Sequence, residues 1–315
     1  MKKQSLIQNA IIGFAIGDAL GVPVEGKSRN CLRDNPVESM IGYGTYDVPA
    51  GSWSDDTSMI IATLEAITNT HDYDLIMKNF CDWRTTGAYT PEGVTFDCGN
   101  TINTAIYNYR YNHIEPLECG SSDENSIGNG SLMRILPFVL FGIYHRKKLN
   151  QIMIDVTNGS LLTHSHQRAI LACKIYALII YELHKKPYWR AVKTGLKKSA
   201  KLFKSEDELA AFDRVLFSRL ELAKESTIES SGYVVHTLEA AIWCVLTSNS
   251  YKETVLKAVN LGRDTDTIAA IAGSMAGIIY GMHTIPSEWL DTLLKKDQLL
   301  DVCQRVELAW KNNCL

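Results

Sequence analysis

The stretch from Thr267 to Gly281, TIAAIAGSMAGIIYG, is small or apolar on every side. A helix without a polar face has no place at a surface, so other elements must surround it closely. Gly273 and Gly277 fall four residues apart, on one helical face, and would let a neighbouring backbone approach. The rest of the chain supplies more helices. The 3.6-residue period recurs over 5–20, 57–69, 73–86, 100–112, 132–145, 150–157, 166–184, 188–203, 206–224, 235–247, 251–260, 267–281 and 287–312. Period-2 patterns are nearly absent, and the best candidate, GYGTYDV at 42–48, reads better as a loop. No Pro/Gly/Ser-rich linker or internal repeat divides the chain. The expectation is an all-α fold, with residues 1–315 as one domain.

Composition narrows the class of protein. Hydrophobic residues make up 46% of the 315, charged residues 21%, and the net charge is −3, which argues against disorder and against general nucleic-acid binding. Residues 185–204 hold eight Lys or Arg around Trp189, Val192 and Leu196, the pattern of a solvated outer face. The eight cysteines form no CxxC pair and are expected to be reduced, mostly buried thiols of a cytoplasmic protein. The N-terminus, MKKQSLIQNAIIGFAIGDALG, begins as a signal peptide would. Its apolar run from Ala10 to Gly17 is short, however, and Ile7, Ile11, Phe14 and Asp18 are spaced as in an amphipathic helix. No segment is expected to reach the ~18 uninterrupted apolar residues of a membrane span.

Chemistry gathers at two helix starts. LGRDTDTIAAIAG (261–273) puts Asp264 and Asp266 ahead of the apolar helix, and GSWSDDTSMIIATLEAI (51–67) puts Asp55 and Asp56 ahead of another. One acidic residue caps a helix and complements its dipole; two are more than a cap requires. Hydroxyls flank both pairs: Ser54 and Thr57, then Thr265 and Thr267. If the two starts face each other, each pair of charges ~4 Å apart costs about 4 kcal/mol at an effective dielectric of about 20. Such carboxylates must protonate in part or hold cations. Oxygen donors unaccompanied by His or Cys favour Mg²⁺ or Mn²⁺ over zinc, and two divalent ions would neutralise the four aspartates.

Two further elements are ambiguous alone. IGNGSLMRILP (127–137) brackets Asn129 with glycines and leads through Ser131 and Arg134 toward a helix, as either a plain loop or a phosphate cradle. In LLTHSHQRAI (161–170), His164 and His166 lie two apart, poor spacing for shared ligation on a helix, so a structural role competes with a functional one.

Taken in order, GFAIGDALGVPVEG, WSDDTSM, DCGNT, GNGSLMR, THSHQRA and GRDTDTIAAIAG resemble the ADP-ribosylglycohydrolase family. The resemblance implies a compact, single-domain orthogonal helix bundle with a binuclear Mg²⁺ or Mn²⁺ site in a cleft. It implies metal ligation by Ser54, Asp55, Asp56, Asp264, Asp266 and Thr267. Glu25 matches an acidic residue on a mobile loop over the metals, and Asp97 one that takes part in proton transfer. Gly128, Asn129, Gly130, Ser131 and Met133 match the loop that holds ADP-ribose, and His164 a residue lining the pocket. Two departures are visible. Ser54 stands where many members have Thr, and Arg263 where many have Gly, with a charge that could alter substrate choice.

The implied reaction is hydrolysis of the glycosidic bond between ADP-ribose and a modified group, arginine on a protein being the first choice and a small conjugate another. Nucleic acid would enter only as a modified substrate, and no membrane partner is implied. Two other functions compete: a non-catalytic ADP-ribose-binding protein on the same scaffold, and a metal-dependent nucleotide phosphohydrolase.

Overall fold

The computed structural model describes residues 5–68 and 70–312, and over these the chain is helical, with only isolated bridges in place of strands. The helices are α1 (Leu6–Gly21), α2 (Arg29–Asp34), α3 (Asp55–Ala66), α4 (Tyr73–Thr86), α5 (Asn100–Asn112), α6 (Leu136–Tyr144), α7 (Leu149–Leu161) and α8 (Gln167–Lys185). They continue with α9 (Trp189–Leu202), α10 (Asp213–Phe217), α11 (Val234–Leu246), α12 (Tyr251–Val259), α13 (Thr265–Tyr280), α14 (Ser287–Thr292) and α15 (Lys296–Asn312).

The fold is built around α1 and α13, which touch backbone to backbone. A Cβ at Gly17 would lie 2.1 Å from the Ala269 carbonyl oxygen, and one at Gly21 would lie 2.3 Å from the Asp266 Cα. Gly13 makes the same approach to Gly273. Gly13, Gly17 and Gly21 recur every four residues, so one glycine stripe of α1 meets Gly273 and Gly277 of α13. The last contact of that stripe sets the end of α1 directly against the first turn of α13. Tyr251 of α12 seals the pair by donating to the Gly13 carbonyl at 2.7 Å.

Several sequence expectations change in detail. α1 is buried on all sides from Ala10 to Gly21 and is not amphipathic. Leu6–Val24 is long and apolar enough on average to cross a membrane, although Gln8, Asn9 and Asp18 interrupt it as expected; 89% of its 18-residue apolar window is buried inside the fold. The helix expected over 132–145 starts at Leu136, with a proline in its first turn, because residues 129–134 form turns instead. The helix expected over 206–224 breaks into 3₁₀ turns around α10. That expected over 287–312 is interrupted between α14 and α15, where the Leu294 amide donates to the Gly51 carbonyl and Lys295 adopts a φ of 46°. α2, six residues with only Leu32 buried, is too short to show a period.

Other expectations stand. α9 turns Ala191, Val192, Gly195 and Leu196 inward and leaves most of its lysines in solvent. Cys31, Cys81, Cys98, Cys119, Cys173, Cys244 and Cys303 are free thiols, mostly buried; Cys314 lies outside the described residues.

Candidate metal centre

The two acidic helix starts do face each other. Thr267 at the head of α13 donates from Oγ1 to Asp56 Oδ1 at 3.4 Å, joining it to the first turn of α3. Oxygens of Asp18, Asp56 and Asp266 all lie within 4.8 Å of one another, as do oxygens of Glu25, Asp97 and Asp266. Asp266 belongs to both groups, so the carboxylates form one continuous cluster.

The sequence reading placed Asp18 on a helix but not in the acidic site, although it stands inside the quoted GFAIGDALG as the one charge of α1. It is fully buried and holds α3 in place. Its Oδ1 accepts the Ser54 amide at 2.9 Å, and its Oδ2 accepts the Thr57 amide at 3.0 Å and the Thr57 hydroxyl at 2.6 Å. These are free N–H groups of a helix start, satisfied here from another helix rather than by a local cap. Ser54 adds the local cap, accepting the Asp56 amide at 3.2 Å.

Other oxygens have no such partners. Asp56 Oδ2, Asp264 Oδ1 and Asp266 Oδ2 are buried and accept no hydrogen bond. A buried carboxylate oxygen without a donor is costly unless a proton or cation reaches it. Electrostatics agree. Burial first, then the charges of neighbouring carboxylates, pushes Asp55, Asp56 and Asp266 well above the usual carboxylate range. Burial raises Asp18 and Asp264 to about 6, even though both accept hydrogen bonds. Burial and the Asp97 charge raise Glu25 to about 7. The cluster is all oxygen, hard and anionic, a donor set that fits divalent cations such as Mg²⁺ or Mn²⁺.

Glu25, Asp55, Asp97, Asp264, Asp266 and Thr267 line a cavity of about 160 Å³ together with Gly128, Asn129, Gly130, Met133 and His164. Ser54 and Asp56 stand behind this wall. Ser131 also turns away, its hydroxyl 3.0 Å from Ser160 in the core. Larger grooves of about 490 and 740 Å³ lie elsewhere, and neither includes any of the unpartnered aspartates. The glycine loop is tied to the cluster through Asn129, whose amide donates to Asp264 Oδ2 at 2.7 Å and to Thr237 Oγ1 at 2.9 Å. One Asp264 oxygen is thereby occupied, and the other is left for the cavity.

Glu25 has a partner that the sequence did not reveal. Tyr46, inside the GYGTYDV loop, donates its hydroxyl to Glu25 Oε2 and packs against Phe96, with ring centroids 4.7 Å apart and the rings tilted by 37°. The Glu25 loop is pinned from the other side by Arg263. The Gly26 amide donates to the Arg263 carbonyl, and the Arg263 amide to the Lys27 carbonyl, both at 2.7 Å. The Arg263 side chain itself is exposed and pairs with Glu229 at 3.0 Å, so its charge is spent at the rim rather than among the aspartates. Of the two readings left open for the glycine loop, Arg134 does not support the phosphate cradle. Far from facing a phosphate, its guanidinium is buried behind the glycine loop. His166 is structural, its Nδ1 accepting the Arg168 amide at the start of α8.

The description ADP-ribosylglycohydrolase applies to a family model that matches residues 1–314. The chain belongs to the ADP-ribosylglycohydrolase family. It is 30% identical over 304 residues to the "ADP-ribosylarginine hydrolase Tri1" of Serratia proteamaculans, covering 95% of this chain and 78% of that one. It is 27% identical to the "ADP-ribosyl-[dinitrogen reductase] glycohydrolase" of Rhodospirillum rubrum, covering 90% and 88%. A solved structure described as "ADP-ribosylglycohydrolase-related protein complex" superposes with a TM-score of 0.81 at 28% identity, covering 99% of both chains. Family and relatives together support a hydrolase, and the acidic cluster can hold metal.

Proposed function

We propose that this ADP-ribosylglycohydrolase cleaves the bond joining ADP-ribose to arginine on a modified protein, using two divalent cations, Mg²⁺ or Mn²⁺. The observation that carries the reading is the set of buried, unpartnered carboxylate oxygens: those of Asp264 and Asp266 on residues that line a cavity walled by the glycine loop, and that of Asp56 directly behind it. The names of the Serratia and Rhodospirillum relatives favour arginine-linked and protein-linked substrates.

Asp55, Asp56, Asp264 and Asp266, with the hydroxyls of Ser54 and Thr267, would hold the cations. Asp18, whose oxygens already take three donors, orients α3 instead. Bound cations would grip the distal ribose by its hydroxyls and supply Lewis acidity. About 160 Å³ is below the usual size of a whole-ligand pocket, so it suits that ribose, with the rest of the nucleotide running over the glycine loop. In the loop from Gly128 to Met133 the Asn129 and Met133 amides already donate to the Gly232 and Asn129 carbonyls, which leaves the N–H groups between and before them, Gly128 and Gly130 among them, for the diphosphate. Glu25 and Asp97 border the same space and handle protons: one takes the proton of the attacking water, and a proton passes to the departing guanidine nitrogen. Tyr46 keeps Glu25 turned into the cavity.

The test is product identity. The protein is incubated with Mg²⁺ and a panel of peptides carrying ADP-ribose on arginine, serine or glutamate, alongside small conjugates. Free ADP-ribose and unmodified arginine peptide are expected. Bound but uncleaved substrate would indicate a non-catalytic binder, and released phosphate a phosphohydrolase; either result overturns the proposal.

A further inference from the structure

Arg134 is fully buried, and the groups that meet it are all neutral. Its Nη1 donates to the Gly159 carbonyl at 2.9 Å and its Nη2 to Thr163 Oγ1 at 2.6 Å, while its face lies 5.1 Å from the centre of the Phe80 ring. Its Nε finds no acceptor. Cys173, the neighbour of greatest electrostatic influence, is itself pushed up by burial to about 11 and stays a neutral thiol. An unpaired guanidinium in a protein interior costs several kcal/mol. Such a group asks for a compensating task.

Thr163 indicates the task. Besides the Arg134 donor, its fully buried hydroxyl has one partner, His164 Nδ1 at 2.8 Å. A threonine hydroxyl carries one hydrogen and two lone pairs. With an arginine N–H directed at the oxygen, the hydroxyl hydrogen has His164 Nδ1 as its one acceptor. The reverse arrangement, Nδ1–H donating to threonine, would strand that hydrogen in the core. An Nδ1 that accepts requires the neutral ring to carry its proton on Nε2. That edge of the ring lies along the cavity wall. A Cβ at Gly130 would sit 2.9 Å from His164 Cε1 and 3.3 Å from Nε2, and one at Gly128 would sit 3.9 Å from Nε2. The backbone of His164 is fixed as well, its amide donating to the Ser160 carbonyl at 2.8 Å.

We propose that Arg134 and Thr163 are positioning residues that lock His164 in its Nε2–H form, so that the cleft carries one permanently directed N–H donor beside the Gly128–Gly130 backbone. Its chemical counterpart is an acceptor oxygen of an anionic ligand; calling that ligand the diphosphate of ADP-ribose rests on the function proposed above. Burial, then the Arg134 charge, holds His164 down at about 3, so the donor is a neutral N–H at working pH and not an imidazolium. The buried guanidinium meanwhile lends positive potential to the back of the loop. A free imidazole would divide itself between two tautomers and two ring flips, and the lock removes that loss before a ligand arrives.

The experiment is two-bond ¹H–¹⁵N correlation of the imidazoles in the full chain labelled on histidine, with His164 assigned by its absence in His164→Gln. Wild type should show a protonated Nε2 and an unprotonated Nδ1 across neutral pH. A protonated Nδ1, or averaged tautomers, would overturn the proposal even if no variant folds. Thr163→Val and Arg134→Met should each release the ring into a mixture, and Thr163→Ser should restore the wild-type pattern. An unchanged His164 pattern in either of the first two variants would also overturn the lock. ADP-ribose binding, followed by calorimetry, should weaken about three- to tenfold in Thr163→Val, the worth of one hydrogen bond, and recover in Thr163→Ser. A locked wild-type tautomer in a protein that does not bind ADP-ribose would uphold the lock and refute the proposed function.

Discussion

Asp56→Asn should make the protein more stable in chelator and less stable in Mg²⁺. The Asp56 side chain is fully buried, with an oxygen within 4.8 Å of oxygens of both Asp18 and Asp266. At that separation and an effective dielectric of about 20, each like-charged pair costs about 3 kcal/mol. Protonation relieves part of this, since burial and neighbouring charge already push Asp56 far above its ordinary range. Taking one pair's worth as the net gain, about 3 kcal/mol at mildly alkaline pH, and about 2 °C per kcal/mol for a chain of this size, the melting temperature in chelator should rise by about 6 °C. The amide can keep the acceptor that Thr267 uses and presents N–H donors where Oδ2 had no partner. In Mg²⁺ the order should invert, because wild type gains binding energy by mass action and the variant loses a ligand. Scanning calorimetry of both proteins in chelator and in Mg²⁺ decides the matter. A variant that melts below wild type in chelator, or that gains as much from Mg²⁺, would refute the reasoning.

Glu25→Gln and Asp97→Asn should each be compared for turnover and for ADP-ribose affinity; the true proton-transfer group should lose ~10²–10⁴-fold in kcat with affinity nearly intact, and wild-type rates in both would exclude both. Tyr46→Phe, which removes the hydroxyl that holds Glu25, should cost about tenfold in kcat and little in KM, as one lost hydrogen bond in the transition state would; an unchanged kcat would show that Glu25 orients itself. In chelator, stability should fall as pH rises. Asp18 and Asp264 are raised to about 6 and Glu25 to about 7, so the folded state holds extra protons above the unfolded carboxylate range, and their stabilising effect is lost between about pH 4 and 7. Mg²⁺ should abolish or reverse that slope, and a flat melting profile in chelator would contradict the cluster's electrostatics.

How much of this was legible in the sequence depended on whether a residue acts through local pattern or across the fold. The helices around 73–86, 100–112 and 251–260 follow from periodicity, and the aspartate pairs announce themselves by exceeding what a cap needs. Asp18 did not, because within one helix it reads as an isolated polar residue. Only the glycine stripe that sets α1 against α13 brings it to the start of α3. That stripe was visible as Gly13, Gly17 and Gly21, and with Gly273 and Gly277 it could have suggested the pairing. Tyr46 was hidden differently: its loop has no periodic signal, and its contact with Glu25 spans an irregular backbone. Arg134 stayed ambiguous because an arginine beside a glycine loop also suits a phosphate, and only the turns at 129–134, invisible to periodicity, rotate it into the core.

The account stands most directly on where divalent cations go. Crystals of the full chain grown with Mn²⁺ and measured at the manganese absorption edge would locate them without reference to activity. The account predicts two anomalous peaks inside the cluster, bounded by Asp55, Asp56, Asp264 and Asp266 and next to the cavity that Glu25 and Asp97 share. Manganese bound only elsewhere, or a cluster that holds none at saturating Mn²⁺, would contradict it.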